Sequence, residues 1–168
     1  MITLAKKQDI NAIMVCYKAT IKRMHELNIF QWDNEYPSRD LILNDIENGE
    51  FYVFKEGEEI LGCVCLNQDE HPTYAHVNWT FNGPVLVVHR LAINPKSQGK
   101  GVAKSMMKFA EELCLINHYN GIRLDTFIEN PLAINLYLKI GYNQLSQVSF
   151  KNRTYFCFDK HVKGNYDG

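Results

Sequence analysis

From Val85 to Ile93 the chain reads VLVVHRLAI, an almost unbroken apolar run closed by Asn94-Pro95. A strand with one wet face alternates polar and apolar residues, whereas a run like this predicts a central strand covered on both faces. The segment beyond Pro95 constrains the fold further. Gly99 and Gly101 lie in a short turn, after which Ala103, Met106, Met107, Ala110, Leu113 and Cys114 recur at three- and four-residue steps. That spacing puts one apolar stripe on a helix. A buried strand, a glycine turn and an amphipathic helix together predict a mixed α/β domain. The glycines let a ligand approach the backbone with no Cβ in the way. The first N–H groups of the helix have no intrahelical acceptor and its dipole is positive there, so the turn suits a phosphate or pyrophosphate. Lys96, Lys100 and Lys104 add cationic charge. The spacing is neither GxxxxGK[ST] nor GxGxxG.

The other elements are read from the same signals. A first strand is expected over Ile2 to Ala5, then a helix with Ile10, Ile13, Met14, Tyr17, Ile21 and Met24 inward, ending near Asn28. An aromatic loop (IFQWDNEYP) leads to Ser38, an N-cap for a short helix closed by Asn48-Gly49. Phe51 to Lys55 and Ile60 to Leu66 read as a hairpin, and residues 68–84 as a long loop with a helical turn. Long loops inside compact domains are often functional. A strand over Ile122 to Ile128, a helix from Leu132 to about Lys139 with Pro131 in its first turn, and strands near Asn143–Phe150 and Thr154–Asp159 complete the sheet. Residues 1–160 are expected to form one domain and 161–168 a flexible tail.

Charge and cysteine content restrict the function. Eighteen basic against nineteen acidic residues give a net charge of −1, without the signature of a nucleic-acid or anionic-membrane binder. No segment reads as a signal peptide or a membrane span. Cys16, Cys63, Cys65, Cys114 and Cys157 are odd in number and lack disulfide-framework spacing, so reduced thiols in a cytoplasmic protein are expected. Cys63, Cys65, His71 and His76 could in principle hold zinc. Their spacing departs from that of zinc fingers, and Cys63 and Cys65 share one strand face as small core residues, so no metal is expected.

A second stretch, NPLAINLYLKIGY from Asn130 to Tyr142, ends a strand at asparagine and carries a tyrosine one or two turns into a helix. With the glycine turn it resembles the GNAT superfamily of acetyl-CoA-dependent N-acetyltransferases. The family's [QR]-x-x-G-x-[GA] segment is matched by Gln98, Gly101 and Ala103. Its N-x-x-A-x-x-x-Y-x-K-x-G-[FY] segment is matched by Asn130, Ala133, Tyr137, Lys139, Gly141 and Tyr142. The resemblance implies a single domain with a mixed, mostly antiparallel sheet, a splayed central parallel strand pair and flanking helices. It implies acetyl-CoA as cofactor, with main-chain partners at Leu91, Ala92 and Ile93 and pyrophosphate binding by Gln98, Gly99, Lys100, Gly101, Val102, Ala103 and Lys104. Backbone N–H groups near Leu91 or Ala92 would stabilise the oxyanion. Tyr137 is the expected general acid for the departing thiolate.

An alkyl ammonium near pKa 10.4 must also lose a proton. Some family members carry a glutamate on the central strand, but the matching position here is Val87. His89 is the catalytic candidate by intrinsic pKa, against a hydrogen-bonded structural role; His25, Glu26, Asp33 and Glu35 are weaker ones. Trp32, Tyr36, Trp79 and Phe81 are expected either to line a partly apolar acceptor pocket or to cap the core beneath the loops. The expected acceptor is an amine of a small molecule, amino acid or peptide, the protein a monomer or homodimer. A protein lysine or N-terminal acceptor, or a non-catalytic acyl-CoA sensor, are the alternatives.

Overall fold

The computed structural model describes residues 1–163. Seven strands, β1 (Ile2–Leu4), β2 (Phe51–Glu56), β3 (Glu59–Asn67), β4 (Val85–Ile93), β5 (Gly121–Phe127), β6 (Asn143–Phe150) and β7 (Arg153–His161), join in the order β1-β2-β3-β4-β5-β7-β6. Helices α1 (Ile10–Glu26), α2 (Arg39–Glu47), α3 (Val102–Ile116) and α4 (Pro131–Lys139) complete the α/β architecture. The sheet is mostly antiparallel, with one parallel pair, β4 and β5. The chain divides into two compact units, residues 1–66 with 89–109, and residues 67–88 with 110 onward, so β4 and α3 each contribute to both.

In the first unit, α1 buries Ile10, Ile13, Cys16, Tyr17 and Thr20 along one stripe. This stripe joins Trp32, Ile42, Phe51, Val53, Ile60, Cys63, Cys65 and Ala92 in one core. Each large apolar side chain so buried contributes roughly 1.5–3 kcal/mol. Ser38 caps α2 by accepting from the Leu41 N–H at 3.2 Å. Gly62 sets how closely α3 lies on β3, since a Cβ there would stand 2.7 Å from Met106 Sδ.

In the second unit, β5 and β7 pair antiparallel from Gly121↔His161 to Phe127↔Tyr155. The β6–β7 hairpin turns through Lys151 and Asn152, at φ 51 and 62, as a two-residue turn between right-twisted strands requires. The long loop is ordered, with a 3₁₀ turn over Pro72–His76. Buried polar groups tether it. Asp159 accepts from the Thr80 N–H at 2.7 Å and its hydroxyl at 2.8 Å, while Arg123 donates to the Phe81 carbonyl at 3.0 Å and pairs with Glu70 at 2.8 Å.

The elements match expectation closely, with instructive shifts at their ends. α3 starts at Val102 rather than near Gly99, because Gly99 and Gly101 take φ 80 and 78. β7 continues to His161, and residues 164–168 of the expected tail lie outside the described residues. No helix among the described residues is long and apolar enough to cross a membrane.

Candidate active site

The glycine turn is built from Asn94 onward. Asn94 is buried; its N–H donates to the Leu61 carbonyl at 2.8 Å, and its side chain accepts from the Lys96 N–H at 3.1 Å. Those bonds hold the 3₁₀ turn Pro95–Ser97, with Ser97 buried beneath it. Gln98, Gly99, Lys100, Gly101 and Lys104 are exposed, Ala103 is half-buried, and Val102 tucks into the core. A Cβ built at Gly99 or Gly101 meets nothing within 4 Å, so positive φ, not crowding, requires glycine here. The Ser105 N–H donates to the Gly101 carbonyl, which leaves those of Val102, Ala103 and Lys104 without an intrahelical acceptor. Exposed amides, a helix N-terminus, three lysines and open space above the glycines fit a diphosphate.

Just before this turn the backbone departs from a regular strand. The parallel register runs from Val85↔Gly121 to Val87↔Arg123, and three residues later Arg90 adopts φ 53. A non-glycine residue holds that conformation only where its surroundings enforce it. The Tyr17 hydroxyl donates to the Arg90 carbonyl at 2.5 Å, and the Arg90 guanidinium pairs with Asp45 at 2.5 Å, both side chains almost fully buried. The Thr20 hydroxyl donates to the Ile93 carbonyl at 3.1 Å. This fixes the backbone around Leu91, Ala92 and Ile93. Sequence reasoning missed the clamp, whose signals are an arginine inside an apolar run and an aspartate on the buried face of α2.

In the second unit, Asn130 caps α4 by accepting from the Ala133 N–H at 3.1 Å, with Pro131 at the first helical position. Lys139 is exposed in the last turn. Tyr137 is buried, its ring 5.5 Å from Phe158 and 5.9 Å from Tyr142. No described residue hydrogen-bonds its hydroxyl. Burial, and then the Asp125 charge, push its phenol well above the ordinary tyrosine range, so it is protonated at neutral pH and has a proton to donate.

The remaining candidates scatter. Trp32 packs edge-on against Tyr17 at 5.6 Å in the first core, and His25 Nε2 hydrogen-bonds its carbonyl. Tyr36 is exposed, its hydroxyl accepting from Arg90 at 3.4 Å. Trp79 is half-buried and Phe81 buried, with the Arg123 guanidinium 4.5 and 5.1 Å from their ring centres. Asp33 caps the Glu35 and Tyr36 N–H groups, and Glu26 pairs with Arg23. Val87 is fully buried, and His89 is half-buried two residues on. Cys63 and Cys65 lie in the first core. A carboxylate overlooked in the sequence, Asp125 on β5, accepts from the Tyr74 hydroxyl at 2.6 Å.

Comparison with known proteins decides the family. The model of the acetyltransferase (GNAT) family matches residues 21–142, well over half of the chain and including both motifs. The chain belongs to the GNAT acetyltransferase family. It is therefore an acyltransferase, and acetyl-CoA is the family's acetyl donor. The chain is 24% identical over 159 residues to the uncharacterized N-acetyltransferase YesJ of Bacillus subtilis (strain 168), covering 92% of this chain and 86% of that one. The fold matches the GNAT-family acetyltransferase of Streptococcus agalactiae 2603 with a TM-score of 0.85, 22% identity and coverage of 98% and 96% of the two chains. The yncA acetyltransferase of Salmonella typhimurium, solved with its cofactor acetyl-CoA, matches with a TM-score of 0.69, 17% identity and coverage of 99% and 95%.

Proposed function

We propose that this GNAT acetyltransferase moves an acetyl group from acetyl-CoA to an amine of a small molecule, amino acid or peptide. The observation that carries the reading is the turn from Gly99 to Lys104, with the unpartnered amides of Val102, Ala103 and Lys104 and its open glycines. Its N–H groups, with Gln98 and the lysines, hold the pyrophosphate of the donor, whose bound thioester supplies an activated acetyl group. Main-chain groups at Leu91, Ala92 and Ile93 orient the pantetheine arm. An N–H near Leu91 or Ala92 stabilises charge on the carbonyl oxygen, which is usually a large catalytic contribution. The clamp of Tyr17 and Asp45 on Arg90 supports this role by holding that backbone before the donor arrives. Asn130 and Ala133 contribute through the cap that starts α4, which carries Lys139 and Tyr137.

Tyr137 donates its proton to the departing thiolate. A free thiol near pKa 8.5 is a better acid than a buried phenol, so transfer from Tyr137 works in concert with C–S cleavage rather than ahead of it. Of the aromatic candidates, exposed Tyr36 and half-buried Trp79 keep ring surface that an acceptor can reach, whereas Trp32 and Phe81 are buried in their cores; His89 is the imidazole that β4 offers as a base. The test is turnover. Purified protein, acetyl-CoA and a panel of primary amines, monitored by mass spectrometry, should yield acetylated amine and free CoA in equal amounts. CoA binding with no product from any amine or peptide would make the chain an acyl-CoA sensor instead.

A further inference from the structure

The acceptor side has a second, unassigned feature in the unit that carries Tyr137. Asp125 keeps part of its surface open, yet its carboxyl is set deep among protein atoms. The Tyr74 hydroxyl donates to Oδ2 at 2.6 Å, and no described residue donates to Oδ1. Among the described residues, no lysine or arginine pairs with it. Arg123, two positions away on the same face of β5, is already engaged by Glu70 and the Phe81 carbonyl. Asp125 Oδ1 is not among the sealed, partnerless polar atoms, so an incoming cation can meet it without displacing a protein donor.

The surroundings fit an ammonium group. Asp125 pairs across the sheet with Cys157, and Phe127 and Tyr155 stand one step further along the same face. Their rings are 6.1 Å apart, and Phe150 stacks on Tyr155 at 4.3 Å and on His71 at 4.1 Å. Phe150 is stacked by both Tyr155 and His71, and the Arg153 guanidinium lies 5.9 Å from the Phe127 ring centre, so the attraction offered to an alkylammonium is chiefly the charge of Asp125. Tyr137 belongs to the other face of β5: it packs on Phe158, the partner of Leu124. Asp125 and Tyr137 thus belong to opposite faces of β5.

We propose that Asp125 is the carboxylate that anchors a primary alkylammonium acceptor and takes its proton before transfer. This deepens the acetyltransferase reading and rests on it. The ammonium N–H bond breaks toward Oδ1 and the carboxyl becomes neutral. The freed nitrogen lone pair then bonds to the thioester carbon as C–S breaks, and the sulfur takes the Tyr137 proton. The second nitrogen proton passes to solvent, solvent reprotonates the phenol, and Asp125 releases its own proton, so one proton leaves per turnover. Burial makes the uphill first step smaller, because it raises a carboxyl pKa and lowers that of an ammonium. Desolvation does raise the Asp125 carboxyl, partly offset by the Tyr74 hydrogen bond and the His71 charge. The groups facing it are Tyr74 and His71 from the 3₁₀ turn, Cys157 from β7 and Arg123 with Glu70.

The test pairs two variants. Asp125→Asn keeps an acceptor for Tyr74, so it should melt no lower than wild type and bind acetyl-CoA unchanged, while kcat/KM for propylamine falls about 100-fold or more. An arylamine, unprotonated at neutral pH, should lose much less. Tyr74→Phe removes a hydrogen bond that favours the carboxylate, so the acid limb of the propylamine profile should move to higher pH. Retention of wild-type kcat/KM by Asp125→Asn, equal loss for both amines, an unmoved limb in Tyr74→Phe, or loss only in His89→Gln would each overturn the assignment. Wild-type protein that transfers acetyl to no amine would overturn the enzymatic reading itself, a separate outcome visible before any variant is made.

Discussion

Replacing Tyr137 by phenylalanine removes one oxygen and keeps the ring. The ring contacts with Phe158 at 5.5 Å and Tyr142 at 5.9 Å survive the change. The hydroxyl has no hydrogen-bond partner among the described residues, so none is orphaned and stability should move by less than about 0.5 kcal/mol. The proton for the leaving sulfur is lost altogether. General acid catalysis is worth roughly 10²–10⁴ in rate, and the lower end equals about 2.7 kcal/mol of barrier. The phenol is held well above the ordinary tyrosine range by burial and by Asp125, so the deficit should be constant through the neutral range rather than titrate. The assay measures free thiol released at saturating acetyl-CoA and amine, with calorimetric affinity for acetyl-CoA and the melting temperature measured alongside. A fall of about 100-fold in kcat, with affinity and melting unchanged, is the expected result. Full activity in the variant removes Tyr137 from the chemistry, and a proportional loss of affinity makes it a binding residue instead.

Three further outcomes concern other parts of the molecule. Asp45→Asn leaves the Arg90 guanidinium buried without its counter-charge, which costs roughly 3–5 kcal/mol and should lower the melting temperature by about 10 °C; an unchanged melting curve would show that the clamp contributes little. Gly62→Ala drives a methyl group to within 2.7 Å of Met106 Sδ and should destabilise the fold by roughly 1–3 kcal/mol in urea titrations. Tyr17, Tyr74, Tyr137 and Tyr142 are all raised by burial, and Cys114 and Cys157 are pushed to about 12. Groups raised on folding stabilise fully below their unfolded values and lose that contribution as pH climbs through the folded ones. Absorbance at 295 nm should therefore show these phenols ionising together with unfolding above about pH 10, not gradually from it.

Features fixed by neighbouring residues were legible in the sequence. The apolar run marked β4 to the residue, and Asn130-Pro131 marked the start of α4 because a cap is a three-residue matter. Ser38 was legible for the same reason. What stayed hidden depends on partners far along the chain. The positive φ of Arg90 is enforced by Tyr17, 73 residues away, and by Asp45, 45 residues away. Asp125 sits in Arg-Leu-Asp-Thr-Phe, an ordinary polar–apolar alternation, and only Tyr74, 51 residues distant, reveals it as enclosed. Trp32 in an aromatic loop read equally well as pocket wall or core, and its side chain packs against Tyr17 of α1 in the first core.

The central claim is that the turn at Gly99–Lys104 binds the diphosphate of acetyl-CoA, and calorimetric titration of acetyl-CoA into wild type, Gly101→Ala and Gly101→Glu tests it most directly. At φ 78 an alanine is strained by roughly 1 kcal/mol and meets open space, whereas a glutamate puts a carboxylate beside the phosphates. Saturable one-to-one binding by wild type, weakened in the alanine variant and abolished in the glutamate variant while all three remain folded, is the predicted result. Unaltered affinity in the glutamate variant, or no heat from folded wild type, would contradict the account.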